Sequence, residues 1–309
     1  MTNLRICYPG FLTRAVTFSM DDGRVEQDAR LLEVMRAHGF LGTFNLPRTD
    51  ALTKEEYSSL YQGYEIANHC KHHPYAFDDD VEYKIAKEPF NPETADGEYI
   101  YPHPERPAFY YFKRSVGWRL MTDPNTYIEC VRACHGELEA IFGKGSVRGY
   151  AWPFYEQNSR KIREFLATFG YTNVRGSGLM LDRDGFAFPK NPLSWRCNAN
   201  HTNLNEMMSL YSDMPDDGEL KLFAFGVHAS DYMRDEVTWD KLLRFADTYG
   251  GKTDKFWYAT VGDIFAYRRA ADGIREEGGM VTNPTDALIY INVKGDNVRL
   301  HPGESIALS

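Results

Sequence analysis

The sequence contains few cysteines and no segment typical of a secretion signal or a membrane anchor. Its five cysteines, Cys7, Cys70, Cys130, Cys134 and Cys197, form no C-x-x-C pair, which argues against a disulfide framework. No apolar run approaches the roughly 20 residues of a membrane-spanning helix, and the first residues lack the hydrophobic core of a signal peptide. We therefore expect a cytoplasmic protein without a membrane partner.

Positive charge is also scarce. The 309 residues include 35 Lys plus Arg against 44 Asp plus Glu, which gives a formal net charge of -9, and the basic residues form no run. Such a chain is a poor partner for nucleic acid or for an anionic membrane surface. With 43% hydrophobic residues, the chain is long enough for one large α/β domain or two ordinary ones.

Strand-like and helix-like segments alternate along most of the chain. Residues 14–22 (RAVTFSMDD) are typical of a strand, and the apolar residues from Val25 to Met35 then recur at helical spacing. The alternation resumes after residue 127 and amounts to about seven strand–helix units, which predicts a parallel sheet with a barrel-like closure.

Two segments depart from this alternation. Residues 78–126 carry many aromatic side chains among several prolines, so we interpret them as a long insertion that lines the active-site cleft and contacts substrate or a second subunit of a homo-oligomer. Residues 276–309 alternate in polarity around a GDN turn, which predicts a β-hairpin and one further strand. The expected organisation is a barrel over residues 1–275 and a small β appendage over 276–309.

Two histidines and two aspartates are the first candidates for a functional site. His69 and His73 are four positions apart, so one helical turn or a tight loop could aim both rings at one point. Asp21 and Asp22 follow a predicted parallel strand, where the active sites of barrels lie. Since neighbouring side chains on an extended backbone point to opposite sides, one carboxylate can bind a metal while the other acts as a base. A solvated histidine pair and a plain helix cap remain the alternatives at this stage.

The order of these motifs resembles the polysaccharide deacetylase family (NodB-homology domain, carbohydrate esterase family 4). The motifs are TFSMDDG at the first strand, EIANHCKHHP about 45 residues later, then YAWPF, and FGVH near the end. The resemblance covers roughly residues 14–270. It implies a distorted (β/α) barrel of the NodB-homology type, with the long aromatic insertion and the small C-terminal β appendage added to it.

The same resemblance implies a metal centre. Asp22, His69 and His73 would be the ligands of one divalent cation, and Asp21 would be the general base, while His72 would point away from the metal. Zinc is the default ion for two histidines and one aspartate, and cobalt, nickel, manganese or iron are accepted by the same ligands.

The third and fourth motifs supply further candidates. The family's usual arginine is absent from YAWPF, so Arg175 on the next strand is the candidate for holding Asp21 in place. The backbone N–H of Phe154 would donate a hydrogen bond to the oxyanion. His228 would be the general acid that protonates the leaving amine, with Asp231 as its partner.

Three more aromatic side chains are expected to contact substrate. Trp152 lies within the third motif, and Trp195 and His201 lie in the segment that supplies the family's sugar-contacting aromatic residue. An indole offers a flat apolar face to a sugar ring, although a buried tryptophan in the core is an equal alternative for Trp195.

These observations predict a metal-dependent hydrolase that removes an N-acetyl group from an amino sugar or a short oligosaccharide. An O-acetyl esterase or an allantoinase-like cyclic amidase would use the same site, because only the shape of the pocket distinguishes the three. A non-catalytic carbohydrate-binding protein is the remaining alternative. Retention of Asp21 argues against it, since binding alone needs no base.

Overall fold

The structure is a computed structural model that describes residues 4–115, 117–154, 156, 159–179 and 183–308. In chain order the strands are β1 (Leu4–Cys7), β2 (Arg14–Asp21), β3 (Gly42–Leu46), β4 (Glu65–Asn68), β5 (Tyr75–Ala76), β6 (Lys84–Ile85), β7 (Tyr99–Pro102), β8 (Phe109–Arg114), β9 (Gly117–Thr122), β10 (Gly149–Ala151), β11 (Asn173–Leu179), β12 (Trp195–Cys197), β13 (Lys221–His228), β14 (Trp257–Tyr258), β15 (Arg275–Glu277), β16 (Met280–Thr282), β17 (Ile289–Val293), β18 (Asp296–Leu300) and β19 (Ser305–Ala307). The helices are α1 (Val25–Ala37), α2 (Lys54–Leu60), α3 (Pro124–Phe142), α4 (Arg160–Phe169), α5 (Leu204–Asp213), α6 (Ala229–Tyr232), α7 (Glu236–Tyr249) and α8 (Val261–Asp272).

The centre of the fold is an eight-stranded sheet in the order β12-β11-β10-β4-β3-β2-β13, with β14 paired to the start of β2. Every ladder in it is parallel, as the strand–helix alternation predicted. In the described part of the chain, no continuous ladder joins β12 to β13. An isolated bridge between Ala199 and Phe225 connects the two edges. A curled parallel sheet is therefore established, and complete closure of the barrel is not.

Local sequence signals account for several helix boundaries. Thr53 caps α2 by accepting a hydrogen bond from the Glu56 backbone N–H, and the Glu56 carboxylate accepts one from the Thr53 N–H in return. Asp123 caps α3 in a similar way, with a proline in the first turn. Gly170 ends α4 in the left-handed conformation that glycine adopts without strain.

Strand β2 positions the site because its residues alternate between two environments. Phe18 and Met20 are buried in the main hydrophobic cluster, which also includes side chains from α1 and α7. Ser19 and Asp21 lie on the opposite face of the strand, where both accept hydrogen bonds from Asn45 of β3. The end of β2 therefore presents its carboxylate on the face of the sheet opposite the main cluster.

The aromatic segment forms a sheet of its own. Strands β6 to β9 lie within residues 78–126 and, with β5, build a five-stranded sheet in the order β5-β9-β8-β7-β6. Strands β8 and β9 form its longest ladder, an antiparallel hairpin over Phe109–Arg114 and Gly117–Thr122. The insertion predicted from the sequence is thus ordered by strand pairing, which its weak periodicity did not indicate.

The C-terminal residues contain the predicted hairpin. Strands β17 and β18 pair antiparallel, and Lys294 and Gly295 between them adopt positive φ angles, as a tight hairpin turn requires. Strand β1 pairs with β17, and β19 pairs with β16. The N-terminal strand therefore shares a sheet with the appendage.

No helix in the described ranges is long and apolar enough to cross a membrane.

A buried carboxyl in α1 gives a stability prediction. Asp28 is 0% exposed, and burial raises its pKa from 3.8 to about 7, although the Tyr61 hydroxyl donates a hydrogen bond to it. The folded protein retains this proton up to about pH 7, whereas the unfolded chain loses it near pH 4, so stability falls between these values. The full cost above that range is about 4 kcal/mol.

We expect Asp28→Asn to raise the melting temperature, and to raise it more at about pH 8 than at about pH 5. The amide carries no charge and keeps an oxygen that accepts from Tyr61. Thermal unfolding at both pH values checks this, with Glu33→Gln on the exposed face of α1 as the control. An equal effect of Asp28→Asn at the two pH values would contradict the prediction.

Candidate active site

The candidate residues meet at the carboxyl ends of the parallel strands. Asp21 ends β2 and lies opposite both His228 of β13 and Asn45 of β3 in the sheet register. His69 directly follows β4, and Arg175 lies within β11. Because parallel strands end at the same edge of a sheet, five separate segments of sequence contribute to one location.

Asp22, His69 and His73 bring their ligand atoms together. The Nε2 atoms of the two histidines are 3.1 Å apart, and Asp22 Oδ1 lies 3.7 Å from the first and 3.5 Å from the second. Atoms that bind one ion at about 2.0–2.2 Å lie roughly 3–3.5 Å from one another. The separations therefore fit a single divalent cation.

The protonation of both histidines also suits a metal. His69 Nδ1 lies 2.9 Å from the carbonyl oxygen of Ala151, which can only accept, so Nδ1 carries the proton and Nε2 presents its lone pair. Burial, together with the neighbouring His69, lowers the pKa of His73 to about 4. His73 is therefore neutral near pH 7 and can act as a ligand.

Backbone strain is concentrated at this location. Eight described residues other than glycine have a positive φ, and five of them are Asp22, Cys70, His72, His73 and Phe154. Side chains disfavour this conformation, and residues held in it cluster at functional sites because the surrounding structure imposes it. The strained backbone explains how His69 and His73, four positions apart, come together without a helical turn.

Asp21 is held by two donors on a single oxygen. Asn45 Nδ2 donates to Asp21 Oδ1 at 2.9 Å, and Arg175 Nη2 donates to the same atom. Burial alone would raise the pKa of this carboxyl, but Arg175, His69 and His228 together outweigh burial and the net effect lowers the pKa. Asp21 is therefore ionised at neutral pH, and its Oδ2 remains available as a proton acceptor.

His228 lies next to Asp22, one of the three residues (Asp22, His69 and His73) that form the metal-ligand group. Its Nδ1 is 2.9 Å from Asp231 Oδ2, and its Nε2 is 3.7 Å from Asp22 Oδ2. The hydrogen bond to Asp231 raises the pKa of His228 to about 9 against the opposing effect of burial. His228 therefore carries a proton at neutral pH, and Asp231 is its partner as the sequence suggested.

A cavity of about 860 Å³ surrounds these residues. Asp21, Asp22, both ligand histidines and His228 line it. The insertion contributes another part of the wall, so the prediction that it lines the cleft is confirmed. The wall residues from the insertion are Tyr111, Trp118, Arg119 and Leu120.

Phe154 connects the insertion sheet to the ligand group. Its ring stacks on Tyr75 with centroids 4.0 Å apart and packs against His73 at 4.3 Å. Its φ of 60° is the strained conformation that turns the chain after β10. Phe154 also lines the cavity, so its backbone N–H remains a candidate hydrogen-bond donor to the oxyanion.

Two tryptophans predicted to contact substrate do not line this cavity. Trp195 is 3% exposed and packs on Phe265 in the cluster between the sheet and the C-terminal strands. Trp152 is also 3% exposed and belongs to the main cluster, where it packs against Tyr150. Both indoles are almost fully buried in hydrophobic clusters and neither lines the cavity, so the structure argues against a sugar-contacting role for them.

His201 and His72 occupy the margins of the site. His201 does not line the main cavity, and its Nδ1 is 3.9 Å from Asp231 Oδ2; its contact with substrate stays a prediction. His72 lines the cavity, but its ring packs edge-on against Phe109. It does not belong to the metal-ligand group, in agreement with the sequence-based prediction.

One residue that holds the candidate base was not predicted from the sequence. Asn45 holds Asp21 but lies inside a strand with no motif around it, so only the strand register reveals its role. Trp118 of β9, by contrast, lines the cavity and belongs to the aromatic insertion that was expected to line the cleft.

No protein-family model matches the chain, and no curated protein matches it. Among solved structures, the chain is similar to a Mycobacterium smegmatis protein assigned to the polysaccharide deacetylases. The two share 16% identity with a TM-score of 0.52, over 88% of this chain and 96% of that chain. A family 4 acetyl xylan esterase from Clostridium thermocellum shares 11% identity with a TM-score of 0.45, over 83% of this chain and 92% of that chain. The resemblance in the motifs is thereby confirmed for the fold: this chain has the fold of the polysaccharide deacetylases.

Proposed function

We propose that the protein is a metal-dependent hydrolase that removes an N-acetyl group from an amino sugar or a short oligosaccharide. The observation that carries this proposal is the arrangement of Asp22, His69 and His73 beside the ionised carboxylate of Asp21 and the protonated His228. The fold shared with the Mycobacterium smegmatis protein supports it. The three ligand residues would hold one divalent cation, with zinc the default for this donor set.

A cation bound there would acidify a water molecule and polarise the acetyl carbonyl group. The protein's own residues then have separate tasks. Asp21 Oδ2 accepts the proton of the attacking water, because Arg175 and Asn45 occupy Oδ1 and fix the orientation of the carboxylate. The backbone N–H of Phe154 donates to the oxygen on which negative charge develops.

His228 supplies the proton for the leaving group. An amine cannot leave as an anion, so the cleavage of an amide requires a proton donor at the nitrogen. The Nε2 of His228 faces the ligand group, and its pKa of about 9 keeps that donor loaded at neutral pH. This raised pKa favours an amide over an ester, whose oxygen leaving group depends less on protonation.

A panel of matched substrates tests the proposal. Acetate release should be measured from N-acetylated sugars, from O-acetylated sugars of the same ring, and from a cyclic amide such as allantoin. We expect the N-acetylated sugars to react with the highest kcat/KM. Preference for the O-acetylated series would identify an esterase, and binding of sugars without acetate release would identify a carbohydrate-binding protein.

The partnership of His228 with Asp231 gives a pH prediction. Since the acid must be protonated, activity falls as the pH rises through the pKa of His228. Asp231→Asn replaces the charged acceptor of this hydrogen bond by a neutral one, so the alkaline decline should move from about 9 toward 6.5, the ordinary value for histidine. The measurement is kcat/KM from about pH 6 to 10.

The exposed Asp240 on α7 provides the control for this prediction. Asp240→Asn makes the same change in net charge but does not touch His228, so its pH profile should match that of the wild type. An unchanged alkaline decline in Asp231→Asn would show that another group is the proton donor.

A further inference from the structure

Arg119 is a cation in the cavity wall, and no acidic side chain in the described part of the chain pairs with it. It lies on β9 and lines the same cavity as the metal-ligand group. Its Nη1 donates to the neighbouring carbonyl oxygen of Trp118 at 2.9 Å. Within the described ranges of the chain, no carboxylate lies within ion-pair distance of it. Most of the N–H groups of this guanidinium are therefore available to a ligand.

The pairing of β9 with β8 places Arg119 on the face of the insertion sheet that packs against Tyr75. Arg119 lies directly opposite Phe112, so the two side chains share one face of the insertion sheet. Phe112 packs on Tyr75 at 4.8 Å, and Tyr75 stacks on the Phe154 ring that contacts His73. The face that carries Arg119 is thus the face that packs toward the metal ligands.

The charges of the cavity differ from those of the whole protein. Three arginines (Arg24, Arg119 and Arg175) and two aspartates (Asp21 and Asp22) line it, whereas the chain has a formal net charge of -9. Arg175 is paired with Asp21, and the Arg24 Nη2 lies 3.7 Å from Asp22 Oδ2. His228, which also lines the cavity, is paired with Asp231. Among the described residues that line the cavity, Arg119 is therefore the positively charged side chain without a carboxylate partner. A concave wall of this kind concentrates its field on a bound ligand.

We propose that the substrate carries an anionic substituent, a carboxylate or a phosphate, and that Arg119 binds it. This inference rests on the proposed function, because the acetamido group of the same molecule would lie at the metal-ligand group. Arginine suits the task because its planar guanidinium donates two parallel hydrogen bonds to such an anion. The substrate class is therefore an acidic N-acetylated sugar, and Arg119 selects it over the neutral sugar.

Three ligands that differ at one carbon test this assignment. They are N-acetylglucosamine, its uronic acid with a carboxylate at C6, and its 6-phosphate. Binding is measured by calorimetry with the metal-loaded Asp21→Asn protein, because this protein should bind the ligand without hydrolysing it. The values of kcat and KM are measured with the enzyme that retains Asp21. Both sets are repeated with Arg119→Met, which keeps an apolar side chain of similar length, and with Arg106→Met, which alters an exposed arginine of the insertion outside the cavity.

We expect at least one acidic ligand to bind about 10- to 100-fold more tightly than the neutral sugar, as a hydrogen-bonded charge pair contributes. Arg119→Met should abolish that preference by weakening the acidic ligand alone, with KM raised and kcat little changed, whereas Arg106→Met should retain it. The more tightly bound acid distinguishes a carboxylate substrate from a phosphate substrate.

Equal binding of the three ligands, no detectable binding of any of them, or a preference that survives Arg119→Met would overturn the assignment. The same experiments distinguish failure of the anion site from failure of the proposed hydrolase activity. If the acidic ligand binds through Arg119 but releases no acetate, the anion site stands and the deacetylase does not.

Discussion

Replacing Asp21 by asparagine is expected to lower kcat by about 10²–10⁴-fold while the bound metal is retained. Both hydrogen bonds that orient Asp21 fall on Oδ1, and asparagine keeps a carbonyl oxygen for them. The change falls on Oδ2, where an NH₂ group replaces the atom that accepts the proton of water. The amide therefore preserves the geometry and removes the base.

This variant also leaves the buried Arg175 without a negative partner, so a lower melting temperature is expected. An unpaired buried charge costs about 3–5 kcal/mol, and activity must be compared well below the unfolding transition. Arg175→Lys in the presence of Asp21 is a useful companion, because it loses the planar guanidinium but keeps both the charge and the base.

Asp22→Asn provides the contrast. Asp22 has a positive φ and directs Oδ1 to the two histidines, so its replacement removes a charged ligand and should lower metal affinity. The two variants are thus expected to differ: Asp21→Asn should lose activity and retain the metal, whereas Asp22→Asn should lose metal affinity. Near wild-type activity of Asp21→Asn would show that the carboxylate is not the base, and equal loss of metal from both variants would contradict the division of roles.

Removal of a histidine ligand is the second change with a large expected effect. We expect wild-type protein to bind one divalent cation per chain, and His73→Ala to bind it more than about 100-fold more weakly. The imidazole of His73 supplies one of three donors, and its neutral state at pH 7 means that no proton competes for Nε2. Elemental analysis of the purified proteins and metal titration by calorimetry provide the two readouts.

The adjacent His72 is the matched control. It lines the same cavity and has a positive φ as His73 does, but its ring packs on Phe109 outside the ligand group. His72→Ala should therefore keep its metal and, like the wild type, show a higher melting temperature when the ion is added. Equal metal content of the His73→Ala and His72→Ala proteins would remove the basis for the ligand assignment.

The sequence predicted the features that depend on local order along the chain. The strand–helix alternation predicted a parallel sheet with candidate functional residues at the strand ends. The pairing of β2 with β13 places Asp21 opposite His228, which confirms that the first and last motifs meet. The Thr53 capping box and the C-terminal hairpin are likewise encoded within a few residues. Such features need no knowledge of distant contacts.

Features that depend on distant contacts could not be read from the sequence. The strands of the insertion are short and are separated by turns and prolines. Their alternation of polar and apolar residues is therefore interrupted, and their order in the sheet was not predicted. Trp152 and Trp195 are chemically suited to a sugar, but Trp152 packs against Tyr127 of α3 and Trp195 packs against Phe265 of α8, and both indoles are buried. The role of Asn45 depends on the register of β2 and β3, which no spacing encodes.

The most direct test of the central claim measures acetate and free amine released from N-acetylated sugars before metal removal, after chelation, and after zinc is restored. The sugars should include the acidic ligands that Arg119 is proposed to select. We predict equal amounts of acetate and amine, loss of both products after chelation, and recovery with zinc in the wild type but not in His73→Ala. Undiminished release by fully chelated protein, or no release under any of the three conditions, would contradict a metal-dependent deacetylase.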